Sequence, residues 1–352
     1  MKLVKPKDKT TLDDLAGGSQ AGTQEGKPNP LVRMAELFTR FKWHLKLLIV
    51  FACLMIPLVV SSNYALRVII YIGLYIVLAL GLNVVMGFTG LLNIGHAAFY
   101  AVGAYTTAIL MVKYGMSFWL TIPVGMFLGV LLGILLGFPT LRVRDDYLAI
   151  VTLGFGQIVY ITANNWMGLT RGPRGIPGIP APRLGFSDYQ IVLDGYPAYY
   201  YLILLFVFIT IYACVRLKDS RVGLAWMDIR EDEDVAAVMW INLVYYKTMA
   251  FGFSAALGAL AGSFFAVFQS FVSPNSFTVL ESVIIITIPI LGGLGSIPGT
   301  IIGAIVMIGG PEIFRAASEY RMVIMGAFMV VMMIIRPQGL FVKKLYQPTY
   351  KM

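Results

Sequence analysis

Long uncharged apolar runs recur along this sequence, and they constrain its fold more than any other feature. A helix that crosses a membrane needs roughly 20 apolar residues. Lipid offers no water to bond the backbone, and no run has the ten-residue alternation of a barrel strand, so we predict an all-α polytopic membrane protein. About ten transmembrane helices are expected, with eight to eleven left open because several runs are short or glycine-rich. The runs are 46–61, 66–88, 92–112, 117–140, 147–166, 197–215, 248–269, 280–294, 298–311 and 321–335.

The distribution of lysine orients these predicted spans. Lysine and arginine concentrate in the cytoplasmic loops of membrane proteins. With the N-terminus in the cytoplasm, only Lys113 of the thirteen lysines falls outside. Arginine fits less well, since Arg171, Arg174 and Arg183 all lie in a predicted outer loop. We therefore expect a multi-pass membrane protein with both termini cytoplasmic.

Composition then divides the chain into segments. Residues 1–45 are polar and contain "GGSQAGTQEGKPNP", which predicts a flexible cytoplasmic tail. A transmembrane domain is predicted over 46–340, followed by a cytoplasmic tail over 341–352. Within that domain we predict a cytoplasmic segment at 216–247 and an extracytoplasmic loop at 167–196. The loop is dense in Gly and Pro, which favours a structured connection that meets another molecule or, alternatively, a plain linker.

Several chemistries are absent from the sequence. No G-x-x-x-x-G-K-[ST] motif for nucleotide occurs, and no catalytic set, metal site or cofactor site is predicted. The two cysteines, Cys53 and Cys214, lie in separate apolar runs and are expected to pack as small apolar groups. Glu281 is the one acidic residue inside the predicted spans. An ion-coupled pump needs several buried charges, so the energy for any transport must come from elsewhere.

Two glycine clusters interrupt the predicted spans. "MGFTGLLNIGHAAFYAVGAY" (86–105) and "LGGLGSIPGTIIGA" (291–304) each have a turn-like centre followed by a small-residue helix. This similarity between the two segments predicts an internal repeat, as in transporters whose broken helices lie at a repeat interface. Glycines also serve close helix packing, and both interpretations stay open. The candidate lining of a path across the membrane is Thr89, Asn93, His96, Thr152, Gly154, Gly156, Gln157, Gly295 and Ser296.

One short block is dense in charge. Six of the seven residues from Asp228 to Asp234 are charged, and the block holds five of the eighteen acids in the chain. Asp228 is a favourable N-cap residue, and Glu231 has the capping-box spacing. We predict a short amphipathic helix at the cytoplasmic surface that docks a partner, the alternative being a solvated loop. The candidate docking residues are Asp228, Arg230, Glu231, Asp232, Glu233 and Asp234.

These motifs, taken together, resemble a known family. The stretches "LALGLNVVMGFTGLLNIGHAAFYAVGAYT", "DDYLAIVTLGFGQIV", "GPRGIPGIPAP", "AWMDIREDEDVAA", "LGGLGSIPGTIIGA" and "RPQGLF" occur in order between about 66 and 342. They are similar to the permease subunits of ATP-binding cassette (ABC) importers for branched-chain amino acids. The "DYLAIVTLGFG" segment favours the M-type of the two paired permeases. The sequence departs from the usual family pattern at Asp228 and Trp240, where small residues are typical.

The resemblance implies a set of partners and a passive role. It implies a non-catalytic permease that pairs with an H-type permease, with two ATPase subunits that bind ATP and Mg²⁺, and with an extracytoplasmic substrate-binding protein. It also implies a location in the lipid bilayer of a bacterial inner (plasma) membrane, with no nucleic-acid partner. The charged block would then be the element that couples the permease to an ATPase. Alternatives are a permease of the same superfamily for urea, sugars or nucleosides, and a secondary transporter or channel without an ATPase.

Overall fold

Apolar runs separated by turns produce a set of long helices. The computed structural model describes residues 51–60, 62–140, 145–184 and 191–313, together with Gly326, Val330 and Ile334. Within this part of the chain, six helices are long and apolar enough to cross a membrane. Their bounds are Asn63–Phe88, Phe118–Phe138, Tyr147–Asn165, Tyr196–Lys218, Leu243–Gln269 and Pro274–Gly292.

The secondary structure is almost entirely helical. The α-helices are α1 (51–59), α2 (Asn63–Asn83), α3 (His96–Tyr114), α4 (Phe118–Thr140), α5 (Asp145–Asn165), α6 (Met167–Thr170), α7 (Tyr196–Lys218), α8 (Arg221–Glu231), α9 (Glu233–Val238), α10 (Leu243–Gln269), α11 (Val279–Gly292), α12 (Ile297–Ala304) and α13 (Gly310–Ile313). Two π-helical turns, Val84–Phe88 and Ile305–Gly309, continue α2 and α12. The strands are β1 (Ile176–Pro177), β2 (Arg183–Leu184), β3 (Ile191–Val192) and β4 (Phe271–Val272).

The predicted count of ten spans is not confirmed. The run at 92–112 forms α3, but His96, Lys113 and the Gly, Thr and Tyr residues lower its mean hydropathy, and it is not among the six apolar helices. It packs instead against both α10 and α4, with most of its residues buried by protein. The run at 298–311 becomes a shorter apolar helix, Ile297–Glu312. The predicted span at 321–335 and both predicted tails lie outside the described residues, apart from Gly326, Val330 and Ile334.

Helix α10 forms the centre of the bundle and packs mainly on α4 and α3. Small residues allow this close approach. A Cβ added to Gly103 of α3 would lie 2.0 Å from the carbonyl oxygen of Ala259, and one added to Gly262 would lie 2.1 Å from that of Tyr100. These distances are shorter than any van der Waals contact, so only glycine fits at either position. The two helices are therefore held backbone to backbone, as small residues permit in membrane bundles.

The predicted outer loop is ordered where it is described. After α6, a 3₁₀ turn (Gly172–Arg174) leads into β1, which pairs antiparallel with β4. Gly175 has φ +66°, and a Cβ there would lie 2.4 Å from the carbonyl oxygen of Val272. Farther along, Arg183 accepts a hydrogen bond from the indole of Trp119 at its carbonyl, 3.0 Å away. The described Gly- and Pro-rich residues up to Leu184 thus build a structured segment after α5.

Candidate functional site

The charged block forms two short helices, and Asp228 does not begin either of them. Ser220 caps α8 by accepting a hydrogen bond from the backbone N–H of Gly223. Asp228 therefore lies inside α8, and the prediction that it is an N-cap is wrong. Asp232 is extended and caps α9, since its Oδ1 accepts hydrogen bonds from the N–H groups of Asp234 and Val235, each 3.0 Å long.

Acidic and apolar side chains share the outer surface of this segment. Asp228, Glu231, Asp232 and Asp234 are exposed. A groove of about 360 Å³ runs between α8 and α9. It is lined by Asp228, Glu231, Asp232, Val235, Ala236, Met239 and Ile241. The sequence predicts Ile229, Val235, Ala236 and Met239 as the apolar side of the amphipathic helix. This is only partly right, since Ile229 and Ala236 are buried while Val235 and Met239 are exposed. We name this exposed acidic and apolar surface of α8 and α9 the docking face.

Two charges of the block turn inward. Arg230 donates a hydrogen bond from Nη1 to the carbonyl oxygen of Gly87, in the π-helical turn after α2. Glu233 pairs with Lys247 of α10, with Oε2 and Nζ 2.6 Å apart. Lys247 is buried and Glu233 is half-buried. The block is therefore not a purely solvated set of charges.

The Glu233–Lys247 pair predicts a stability effect. Replacing Glu233 by Ala leaves a buried ammonium without its carboxylate, which is expected to lower the free energy of unfolding by about 2 kcal/mol. Glu231→Ala removes an exposed carboxylate and serves as the matched control, with an expected change below about 0.5 kcal/mol. Thermal unfolding of the purified protein measures both. Adding Lys247→Met to Glu233→Ala should recover part of the loss, and equal unfolding temperatures for the two single variants would contradict the assignment.

A cluster of large apolar side chains lies at the C-terminal end of the docking face. Trp240 is 96% exposed and adopts φ +61°, and Val238 and Met239 are also largely exposed. Soluble surfaces rarely present contiguous apolar groups of this size unless something covers them. Trp240 and Met239 thus form an exposed apolar cluster next to the groove, which Met239 and Ile241 line.

The two predicted glycine clusters meet in the structure. Asn83, at the end of α2, accepts a hydrogen bond at Oδ1 from the backbone N–H of Gly295, 2.9 Å away. A Cβ added to Gly87 would lie 2.4 Å from the nitrogen of Gly295. In the second cluster, a Cβ added to Gly292 would lie 2.2 Å from the carbonyl oxygen of Gly299. These glycines allow close backbone contacts, which supports the interpretation that the clusters serve helix packing.

Most of the polar candidates for a path bond to nearby backbone. Thr89 donates to the carbonyl of Val85 (2.6 Å), Thr152 accepts from the N–H of Ile94 (3.0 Å), and Ser296 caps α12. Asn93 and His96 are fully buried. The Oδ1 atom of Asn93 accepts from the N–H of Gly95, whereas its Nδ2 has no partner among the described residues. A role of these side chains in lining a path stays a prediction.

Helix α5 presents an open flank. Gln157 is exposed, and a Cβ added to Gly154 would meet nothing within 4 Å. Gly156, two residues farther along, approaches the Cα of Gly95. Large apolar side chains continue the open flank, and α5 is the least buried of the six apolar helices. They are Ile150, Leu153, Ile158 and Ile161. Gly154 and Gln157 are therefore the two candidates that the chain itself leaves accessible.

Sequence reasoning missed the residues that connect these parts. Lys218 donates to the carbonyl of Gly295 at 3.1 Å, and Glu281 accepts from the hydroxyl of Tyr75 at 2.6 Å. The roles of Asn83 and Lys247 were not predicted either. The one available signal was an Asn inside the apolar run "LALGLNVVMG", because a polar group in such a run needs a partner.

Six long apolar helices, with breaks at two glycine clusters, define the class of this protein as a multi-pass membrane protein. A family model described as branched-chain amino acid transport system / permease component matches residues 64–333. The chain belongs to this family.

Two groups of relatives match the chain to different extents. It is 42% identical over 286 residues to the high-affinity branched-chain amino acid transport system permease protein LivM of Salmonella typhimurium, covering 76% of this chain and 67% of that one. The corresponding protein of Escherichia coli matches equally well. The permease protein LivH of Salmonella typhimurium is 23% identical, over 76% of this chain and 90% of its own. No solved structure matches the chain.

Proposed function

We propose that this chain is the non-catalytic M-type permease subunit of an ABC importer for branched-chain amino acids. The observation that carries the proposal is the docking face on a chain of this family. Four exposed acids and an exposed apolar cluster lie together on α8 and α9, on a segment that the bundle anchors through Arg230 and Glu233. The higher identity to LivM than to LivH supports the M-type assignment.

The docking face is proposed to bind one of two ATPase subunits. Acidic side chains steer a basic partner, and exposed apolar groups beside them provide area to bury. ATP and Mg²⁺ would be held by the ATPase subunits, so that this chain contributes binding and motion but no chemistry. The coupling residues are proposed to be Asp228, Arg230, Glu231, Asp232, Glu233 and Asp234, with Arg230 and Glu233 acting toward the bundle.

The open flank of α5 is proposed to face an H-type permease, with the substrate path between the two subunits. A zwitterion with an apolar side chain needs weak polar contacts for its ends and an apolar wall for its body. Gln157 and the apolar residues around Gly154 offer this combination. The other proposed path residues would lie on the side of that wall away from the path and support it. They are Thr89, Asn93, His96, Thr152, Gly156, Gly295 and Ser296. An extracytoplasmic binding protein is proposed to deliver the substrate to the outer connection.

The proposed orientation in the membrane predicts labelling from opposite sides. Arg221 and Arg174 are both exposed. Each is replaced by a single cysteine in a variant that lacks Cys53 and Cys214. An impermeant maleimide should label Arg174→Cys in intact cells and Arg221→Cys in inverted vesicles. The parent variant without cysteine is the control. Labelling of both positions from one side would contradict the cytoplasmic location of 216–247.

Co-purification tests the proposed assembly. The tagged chain, solubilised in mild detergent from its native host, should bring with it one further permease and ATPase subunits, identified by mass spectrometry. The same purification with Asp228→Lys and Glu231→Lys should keep the permease and lose the ATPases. A chain that purifies alone and still transports would favour the alternative of a secondary transporter.

A further inference from the structure

Two cations from the segment around α8 reach the broken helices. Lys218 is the last residue of α7, and its Nζ lies 3.1 Å from the carbonyl oxygen of Gly295. Arg230 lies in the last turn of α8 and donates to the carbonyl oxygen of Gly87. Lys218 thus contacts the second glycine cluster (291–304), and Arg230 contacts the first (86–105).

The contacts converge on one small region. The Nη1 atom of Arg230 would lie 3.1 Å from a Cβ added to Gly295, so the guanidinium sits between Gly87 and Gly295. The N–H of Gly295 bonds to Asn83, and the ammonium of Lys218 also lies over the ring of Phe88, 5.5 Å from its centroid. We name Asn83, Gly87, Lys218, Arg230 and Gly295 the junction.

The chemistry of the helix ends explains why cations stand there. A helix that breaks leaves carbonyl groups without intrahelical donors, and its C-terminal end carries partial negative charge. Gly87 belongs to the π-helical turn that ends α2, and Gly295 lies in the link between α11 and α12. A positively charged side chain supplies the missing hydrogen-bond donor and also balances the partial negative charge. The junction thus joins α2, α7, α8 and the α11–α12 link through directional bonds.

We propose that Arg230 and Lys218 are positioning residues that transmit movement of the docking face to both broken helices. This inference rests on the proposed function, since the movement would come from a bound ATPase. Arg230 stands next to Glu231 of the docking face, so a displacement of α8 acts directly on the backbone of Gly87 and Gly295. Neither cation contacts substrate or ATP; each acts through the backbone that it holds.

The test measures substrate imported per ATP hydrolysed. The chain is purified with its permease and ATPase partners and reconstituted in liposomes with the binding protein, and leucine uptake and ATP hydrolysis are followed together. Arg230→Met and Lys218→Met should lower the ratio of leucine uptake to ATP hydrolysis about tenfold, within the range of typical coupling between sites. Arg216→Met is the matched control, because Arg216 also lies in the last turn of α7 but bonds to Tyr212 of its own helix.

The double variant and the conservative variants separate transmission from mere stability. If the two cations act through one junction, the double variant should be no more uncoupled than either single variant, and Lys218→Arg should restore the ratio. Should the methionine variants not assemble, the ratio is measured in Arg230→Lys, which keeps the charge but not the forked donor. A wild-type ratio in every variant that assembles would overturn the proposal. ATP-independent uptake by the wild-type complex would instead contradict the proposed function itself.

Discussion

Replacing both Asp228 and Glu231 by lysine is expected to abolish ATP-driven uptake while the protein still folds. Both side chains are exposed and line the groove of the docking face. Placing like charges against a complementary surface costs several kcal/mol, so about 3 kcal/mol, or roughly a hundredfold weaker ATPase binding, is expected. Leucine uptake and substrate-stimulated ATP hydrolysis should fall together.

Two controls accompany this charge reversal. Asp219→Lys reverses an exposed acid that precedes α8 and does not line the groove, and it should leave uptake nearly unchanged. Asp228→Asn with Glu231→Gln removes the charge without reversing it and should have an intermediate effect. Normal uptake by the double lysine variant would mean that these two exposed acids do not bind an ATPase subunit.

Leucine at Gly103 and leucine at Gly154 are expected to fail in different ways. At Gly103 a side chain would overlap the backbone of α10, because even a Cβ would lie 2.0 Å from the carbonyl oxygen of Ala259. Overpacking a tight core costs about 1–3 kcal/mol and occasionally more, so Gly103→Leu should give little folded protein. At Gly154 a Cβ meets nothing within 4 Å. Gly154→Leu should therefore fold and assemble but block uptake by filling the open flank of α5.

Size-exclusion yield of the complex and leucine uptake per assembled complex distinguish these outcomes. Gly154→Ala is the matched control and should retain most of the uptake. Loss of assembly in Gly154→Leu would make this glycine a packing contact with the partner permease. Gly295→Leu cannot serve the same purpose, because Gly295 has φ +80° and a Cβ there would lie 2.9 Å from the carbonyl oxygen of Gly87.

Features that depend on local hydropathy were predictable from the sequence. Six of the ten apolar runs correspond to long apolar helices, and the breaks fall at the glycine clusters. The family resemblance was confirmed by the match over 64–333. The predicted exposure of the charged block was right for Asp228, Glu231, Asp232 and Asp234. Composition within a few residues determines each of these features, which is why the sequence alone could predict them.

Features set by distant contacts were not predictable in the same way. Asp228 has a favourable capping residue type, but Ser220 begins the helix earlier and leaves Asp228 in its interior. Glu233 belongs to the same charge run as Glu231, yet only the position of α10 brings Lys247 to it. Likewise, the bond between Asn83 and Gly295 joins residues 212 positions apart. Helix packing decides such contacts, and no local pattern encodes them.

The central claim is that ATP hydrolysis in partner subunits drives branched-chain amino acids through this chain. Its most direct test is uptake into liposomes that contain the chain with its permease and ATPase partners, with the binding protein and radiolabelled leucine outside and ATP inside. We predict uptake that requires ATP and is competed by isoleucine and valine but not by urea, ribose or a nucleoside. Equal uptake without ATP, or competition by urea or ribose and not by valine, would contradict the claim.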